Sequence, residues 1–128
     1  MKYLAYSLGL IFLLSACKKI EGEGGTSTIK GKVYVLNYNS LNTLVGEYNG
    51  AKEDVYIIYG EGDNAFDDKV EASFDGTFEF KYLEEGTYTI FTYEDCADCD
   101  SGEKEVLVKV EITDKKSTVD AGTLTIKK

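Results

Sequence analysis

Along most of the chain, apolar residues alternate with polar ones at a period of two. In residues 105–112 the apolar side chains of Val106, Val108, Val110 and Ile112 fall on one face, and charged residues mostly occupy the other. A strand with one buried face produces this pattern. Runs of the same kind, rich in valine, isoleucine, threonine and aromatics, predict further strands. The predicted strands are residues 28–38, 54–59, 77–82, 87–93, 105–112 and 118–127, with a weaker seventh at 69–74.

Glycine-containing turns separate these runs, at Asn49-Gly50, Asp75-Gly76 and Ser101-Gly102 among others. Asp75-Gly76 lies between two aromatic-bearing segments and predicts a hairpin. No amphipathic helix is available to cross between parallel strands. The sequence therefore predicts an all-β fold, a single antiparallel two-sheet sandwich of about seven strands.

The amino terminus has a different pattern. One basic residue, Lys2, precedes twelve residues without an ionisable acid or base, and the segment ends in Leu-Ser-Ala-Cys at Cys17. The apolar stretch is too short to span a bilayer and has the layout of a secretory signal. The tetrapeptide resembles the lipobox of bacterial lipoproteins, in which the cysteine thiol is acylated and cleavage occurs just before it. An ordinary signal peptide with an incidental cysteine is the alternative.

The chain then divides into three parts. Residues 1–16 are predicted to be the signal peptide, residues 17–27 a lipidated, glycine-rich flexible tether, and residues 28–128 one domain. We expect an exported outer-membrane lipoprotein on the periplasmic or cell-surface face. Lys18 follows Cys17 at the position where an aspartate would favour the inner membrane, which agrees with this location.

Composition excludes several kinds of chemistry. The chain contains 23 acids and 14 basic residues, all lysine, with a formal net charge of −9. The composition therefore predicts no nucleic-acid partner. Without histidine, the chain offers no side chain that ordinarily titrates near neutrality, no Ser-His-Asp triad and no histidine-ligated zinc. We expect no cofactor and no catalysis.

Cys96 and Cys99 remain once Cys17 is lipidated. An even number of cysteines in an exported protein favours a disulfide, here a local clip on one loop. A redox or metal-binding role for this Cys-x-x-Cys loop, which ends at Asp100, is the alternative. The neighbouring carboxylates disfavour a reactive thiolate, and one such pair is a weak zinc signal.

Two acidic clusters accompany these features. Neither matches the spacing of an EF-hand calcium loop, so surface charge is the default interpretation and calcium binding stays open. The first contains Glu61, Asp63, Asp67, Asp68 and Glu71, and the second contains Glu94, Asp95, Asp98 and Asp100.

The connection at residues 37–54 is long and carries apolar residues that we expect to be exposed. It is either a contact surface for glycan or protein, or a segment folded over a sheet edge. Its apolar and aromatic members are Tyr38, Leu41, Leu44, Val45 and Tyr48.

The stretch SFDGTFEFKYLEEGTYTI at residues 73–90 resembles the central hairpin of carboxypeptidase regulatory-like domains and collagen-adhesin B-type repeats. The resemblance extends loosely from Ile29 to Ile126. It implies a transthyretin-like Greek-key sandwich of about seven strands. In this motif Phe78, Phe80 and Leu83 are packing residues. The hydrolases of this fold use histidines, which this chain lacks.

The sequence thus predicts a membrane-anchored lipoprotein with a non-catalytic structural or ligand-binding domain. Its partners would be the bilayer, through acylated Cys17, and a glycan or protein ligand, and the domain would be monomeric. The alternative function is a metal-dependent or thiol-based enzyme that uses the loop from Cys96 to Asp100.

Overall fold

The computed structural model describes residues 20–62 and 65–128, and Cys17 and the predicted signal peptide lie outside these ranges. The described residues form strands and no helix, which confirms the predicted all-β sandwich. The eight strands are β1 (Glu23–Tyr38), β2 (Leu44–Asn49), β3 (Asp54–Tyr59), β4 (Asp68–Glu71), β5 (Thr77–Leu83), β6 (Gly86–Asp95), β7 (Glu103–Ile112) and β8 (Thr118–Lys127). Among these residues, no helix is long and apolar enough to cross a membrane.

The strands form two four-stranded sheets. Sheet A is organised around the long strand β1, which pairs with β5 and then β2 along one edge and with β8 along the other. Sheet B has the order β4-β3-β6-β7. Within the described chain every pair is antiparallel except β1 and β8, which run parallel.

One hydrophobic core lies between the sheets, where the inward residues of both meet. The alternation of the sequence sets these inner faces. Sheet A contributes Ile29, Val33, Val35, Phe78, Phe80, Leu83, Leu124 and Ile126; sheet B contributes Val55, Ile57, Tyr88, Ile90, Val110 and Ile112.

The central motif packs as the sequence predicted. Phe78, Phe80 and Leu83 are each no more than 3% exposed, and Tyr88 is fully buried. Gly86, which follows the turn, has a φ of 147°. This left-handed backbone region favours glycine, so Gly86 allows β5 to turn tightly into β6.

The hairpin predicted at Asp75-Gly76 is wrong, because β4 and β5 belong to different sheets. The local turn forms, with Asp75 accepting hydrogen bonds from the backbone and hydroxyl of Thr77. The carbonyl of Gly76, however, accepts the N–H of Val33 at 2.8 Å. This bond draws the chain to β1, so the turn joins the two sheets.

Strand β1 begins at Glu23 and so includes residues 23–27, which were predicted to be part of a flexible tether. The glycines here allow close contact: a side chain at Gly25 would collide with the backbone of Leu83. Ser27 is 1% exposed, and its hydroxyl donates to the carbonyl of Asp114. The glycine-rich segment is therefore part of the folded domain.

The sandwich has two ends, a base and a far end. The base carries the start of β1, the β5–β6 turn and the β7–β8 loop, and the far end carries the β6–β7 loop with its cysteines. Near the far end the buried carboxylate of Glu94 on sheet B accepts the N–H of Lys127 on sheet A at 3.1 Å. Glu94 also pairs with Lys104 at 3.2 Å. This carboxylate therefore ties the two sheets together.

Candidate functional site

Cys96 and Cys99 form a disulfide in the β6–β7 loop, with Cα atoms 5.3 Å apart. The loop is also closed by its backbone, since the N–H of Cys96 donates to the carbonyl of Gly102 at 2.8 Å. In the part of the chain that the structure describes, no three potential metal-ligating side chains are grouped around a common point. The disulfide is thus a clip on a loop that the backbone already closes.

The acidic residues fall into different environments rather than one site. Asp63 lies outside the described residues, and Asp67 accepts the backbone N–H of Tyr59 at 2.7 Å, as a turn residue does. Asp68 and Glu71 are in β4. Glu94 is only 6% exposed, so interpreting it as solvated surface charge was wrong. Its burial reflects the sheet-bridging bond to Lys127.

The connection at residues 37–54 contains an unpredicted strand, β2, which pairs with the second half of β1. The strand is exposed on both faces, and Leu41, Leu44, Val45 and Tyr48 are between 46% and 83% exposed. These side chains are spread along an edge and do not form a cluster of rings.

The densest group of aromatic rings outside the core lies on the outer face of sheet B. We call it the aromatic patch: Tyr56, Phe66, Phe91 and Tyr93. Tyr56 on β3 lies directly opposite Phe91 on β6. Their rings stack with centroids 5.0 Å apart and an interplanar angle of 15°. Such cross-strand pairs stabilise a sheet and create a continuous apolar surface.

The other two rings complete the aromatic patch. Tyr93 packs edge-on against Tyr56 at 5.6 Å and against Phe91 at 5.7 Å. Phe66 comes from the β3–β4 loop and contacts Tyr56 at 4.8 Å. Tyr56 is therefore the centre of the aromatic patch, since its ring touches the other three.

Exposure varies across this surface. Phe91 is 7% exposed, whereas Phe66 is 49% exposed and Leu107, which lies opposite Phe91 on β7, is 57% exposed. Tyr56 and Tyr93 are half-buried. The surface thus has a covered centre and accessible apolar side chains on both flanks.

Carboxylates border the aromatic patch on the side that lies nearer the far end of the sandwich. The pKa of Tyr56 is raised above its ordinary value, mainly by burial and then by the nearby charges of Asp54 and Glu103. Burial also raises the pKa of Tyr93, and Glu105, Tyr56 and Glu103 add to it. Both hydroxyl groups therefore stay protonated at neutral pH and can donate or accept hydrogen bonds.

A shallow groove of about 240 Å³ adjoins the tyrosines. It carries positively and negatively charged side chains, which can form hydrogen bonds, next to aromatic rings. Two of its ion pairs are Lys128 with Glu53 at 3.4 Å and, at its border, Lys69 with Asp54 at 4.0 Å. The groove is lined by Lys52, Glu53, Asp54, Tyr56, Thr92, Tyr93, Glu103 and Lys128.

A larger open cleft, of about 840 Å³, is bordered by strands of sheet A and by Val70 and Glu71 of β4. It is lined by Lys30, Lys32, Glu79, Asp120 and other mainly polar residues, and its one aromatic, Phe78, is a core residue. We therefore favour the smaller groove with the aromatic patch, because it combines apolar contact area with polar groups, as ligand sites do.

The aromatic patch was not predicted from the sequence, although a signal for most of it is present there. Tyr56, Phe91 and Tyr93 occupy the positions of β3 and β6 that alternate with the core residues, where a half-buried strand carries polar side chains. Aromatics at those positions indicate a second apolar face. Phe66 could not be found in this way, because it comes from a loop.

No protein-family model matches the sequence, and a search of curated proteins found no match. Among solved structures, the chain is similar to a proposed carbohydrate-binding protein from Pseudomonas aeruginosa. The two are 14% identical with a TM-score of 0.49, and the alignment covers 84% of this chain and 91% of the other.

Proposed function

We propose that this protein is an exported lipoprotein, anchored by acylated Cys17 in the outer membrane, whose sandwich domain binds a glycan without catalysis. The aromatic patch and the adjoining groove are the binding surface. The single observation that carries the glycan assignment is the contact of four aromatic rings on the solvent side of a sheet, bordered by carboxylates. The transthyretin-like family remains a prediction from the motif at residues 73–90.

The chemistry of this surface suits a sugar. Sugar rings have apolar C–H faces that pack against exposed aromatic side chains such as Phe66, and hydroxyl groups that donate to carboxylates such as Asp54 and Glu103. The tyrosine hydroxyl groups add both donors and acceptors. A purely apolar patch would suit a protein partner better, whereas this one alternates rings with hydrogen-bonding groups.

Charge restricts the class of glycan. Asp54, Glu103 and Glu105 border the rings, and the whole chain carries a formal net charge of −9. In the adjoining groove the lysines Lys52 and Lys128 are outnumbered by the carboxylates Glu53, Asp54 and Glu103, so the surface as a whole is acidic and disfavours polyanions such as uronate polymers. We therefore propose a neutral oligosaccharide as the ligand.

A binding test uses the full lipoprotein in detergent micelles, screened on an array of neutral and acidic glycans and then titrated calorimetrically with the best oligosaccharide. Tyr56→Ala should weaken binding at least about tenfold, because Tyr56 is the central contact residue. Thr123 is an exposed residue on sheet A. The control variant Thr123→Ala should leave the affinity for the oligosaccharide unchanged. Binding that survives Tyr56→Ala, or binding of protein ligands alone, would contradict the proposal.

The anchor is tested separately. Intact-mass analysis of the protein from bacterial membranes should show a diacylglyceryl-modified amino terminus at Cys17, and the protein should partition into detergent. Cys17→Ser should leave it in the aqueous phase. An unmodified thiol in the wild-type protein would overturn the lipoprotein assignment and leave the glycan proposal to its own test.

A further inference from the structure

The folded body of the domain begins very close to the predicted acylation site. The backbone N–H of Gly22 donates to the hydroxyl of the buried Tyr88 at 3.0 Å, and this hydroxyl donates to the carbonyl of Glu84 at 2.6 Å. The N–H of Glu84 in turn donates to the carbonyl of Gly22 at 2.8 Å. Gly22 thus makes two hydrogen bonds, and the bond between Tyr88 and Glu84 links their partners, so that Gly22 is fixed to the β5–β6 turn at the base.

Side-chain packing holds the same point. The Tyr59 ring lies against Gly22, where a Cβ atom would be 3.1 Å from a ring carbon. A side chain at Gly86 would collide with Glu21, so Glu21 covers the turn glycine. Glu21 and Gly22 therefore belong to the rigid body of the sandwich.

From this we infer that the base of the sandwich faces the lipid bilayer at close range, with the lipid surface as its partner. The inference depends on the proposed acylation of Cys17. Only Lys18, Lys19 and Ile20 separate Cys17 from Glu21. At roughly 3.3–3.6 Å per residue, the four steps from Cys17 to Glu21 reach about 14 Å at most. Ile20, which is 77% exposed, stands at this end of the domain and provides an apolar contact for the membrane interface.

The placement sets the direction in which the rest of the molecule is presented. Strands β6 and β7 run between the base and the far end, and ten residues of strand span about 33 Å. The disulfide loop therefore points away from the bilayer. The aromatic patch lies on the flank of the sandwich, so its ligand approaches parallel to the membrane plane.

Tryptophan-to-membrane energy transfer tests this placement, because the chain has no tryptophan of its own. Single reporters are introduced as Thr113→Trp at the base and Ala97→Trp in the disulfide loop, both at exposed positions. Lys115→Trp is a second base reporter if Thr113→Trp fails to fold. The full acylated protein is reconstituted into phosphatidylethanolamine–phosphatidylglycerol vesicles that carry a dansyl headgroup label. Each reporter is measured again with a flexible Gly/Ser spacer of about 20 residues inserted between Lys19 and Ile20.

We expect transfer from Thr113→Trp to be several-fold stronger than from Ala97→Trp, and the spacer to remove most of this difference. Equal transfer from both ends without the spacer would overturn the placement, as would a spacer without effect. A wild-type protein that does not bind vesicles at all would overturn the anchor and the placement together. Vesicle binding with equal transfer would contradict the placement alone.

Discussion

The two sheets of this sandwich have equivalent inner faces and contrasting outer faces. Around Lys30 and Lys32, the outer face of sheet A carries lysine, threonine and carboxylate side chains, and Lys81 and Glu79 form an exposed ion pair at 3.4 Å. Farther along β1 this face carries Tyr34 and Tyr38, but neither is in ring–ring contact with another aromatic among the described residues; Lys127 lies over the Tyr38 ring instead. The outer face of sheet B carries the aromatic patch and Leu107. A two-layer sandwich requires only one apolar face per sheet. The second apolar face of sheet B therefore calls for an explanation beyond the core.

Two explanations apply to different parts of that face. Phe91, at 7% exposure, is covered by its neighbours and contributes to folding as a small second core would. Phe66 and Leu107 are about half exposed and leave apolar area accessible to a ligand. The aromatic patch therefore has a structural centre and a free border, and substitutions can separate the two.

The largest expected effect is on stability, at the covered centre. Phe91→Ala should lower the free energy of unfolding by about 2–4 kcal/mol, because it removes a buried ring from the stack with Tyr56. Thr123→Ala on sheet A should change it by less than about 0.5 kcal/mol. Urea denaturation of both variants measures the difference. Equal, small effects would show that the outer face of sheet B contributes no more to folding than that of sheet A.

The second-largest effect on stability is expected from the disulfide loop. It joins β6, which carries Phe91 and Tyr93 of the aromatic patch, to β7, which carries Glu103 and Glu105 of its acidic border. Sheet A has no such clip. The double change Cys96→Ser and Cys99→Ser should lower the free energy of unfolding by at most about 2 kcal/mol, because the bridged loop is short. Glycan affinity should persist, since the Asp95–Glu103 strand pair remains. Denaturation and calorimetry of the same variant check both points, and loss of the folded state on reduction would contradict a purely local role.

Much of the fold could be predicted because one buried face imposes a strict alternation. The bounds of β3 and β8 agree with the prediction residue for residue. Strand β2 was missed for the opposite reason: it is exposed on both faces, so no alternation marks it, and its pairing with β1 is a tertiary effect. Glycines at the start of β1 indicated flexibility, although Gly25 is needed for contact with Leu83.

The site was less predictable than the fold. Tyr56 and Phe91 could be assigned to the outer face from their position in the alternation, but their contact depends on the register between β3 and β6. Glu94 could not be separated from its acidic neighbours, because its burial comes from the distant partners Lys104 and Lys127. Side chains whose partners are far apart in sequence leave no local pattern.

A smaller effect on stability is expected at the free border. Phe66→Ala should lower the free energy of unfolding by no more than about 1 kcal/mol, because the ring is 49% exposed and comes from a loop. Its effect on glycan binding should be larger than its effect on stability. Denaturation and titration of one protein sample provide both values. A stability loss as large as that of Phe91→Ala would mean that Phe66 belongs to the structural centre.

The smallest expected effect is a change in the pKa of the tyrosines on the outer face of sheet B. Burial and nearby carboxylates raise the pKa of Tyr56 and Tyr93, so the folded state favours the neutral phenols. This stabilisation is complete below the ordinary tyrosine pKa, near 10, and is lost as the pH rises through the higher folded pKa values. Glu103→Gln should lower the pKa of both tyrosines slightly, because Glu103 acts on each of them, while Glu79→Gln on sheet A should leave both unchanged. Tyrosine ring signals followed by NMR between neutral and alkaline pH measure this difference, and equal shifts in the two variants would mean that Glu103 does not border the aromatic patch in solution.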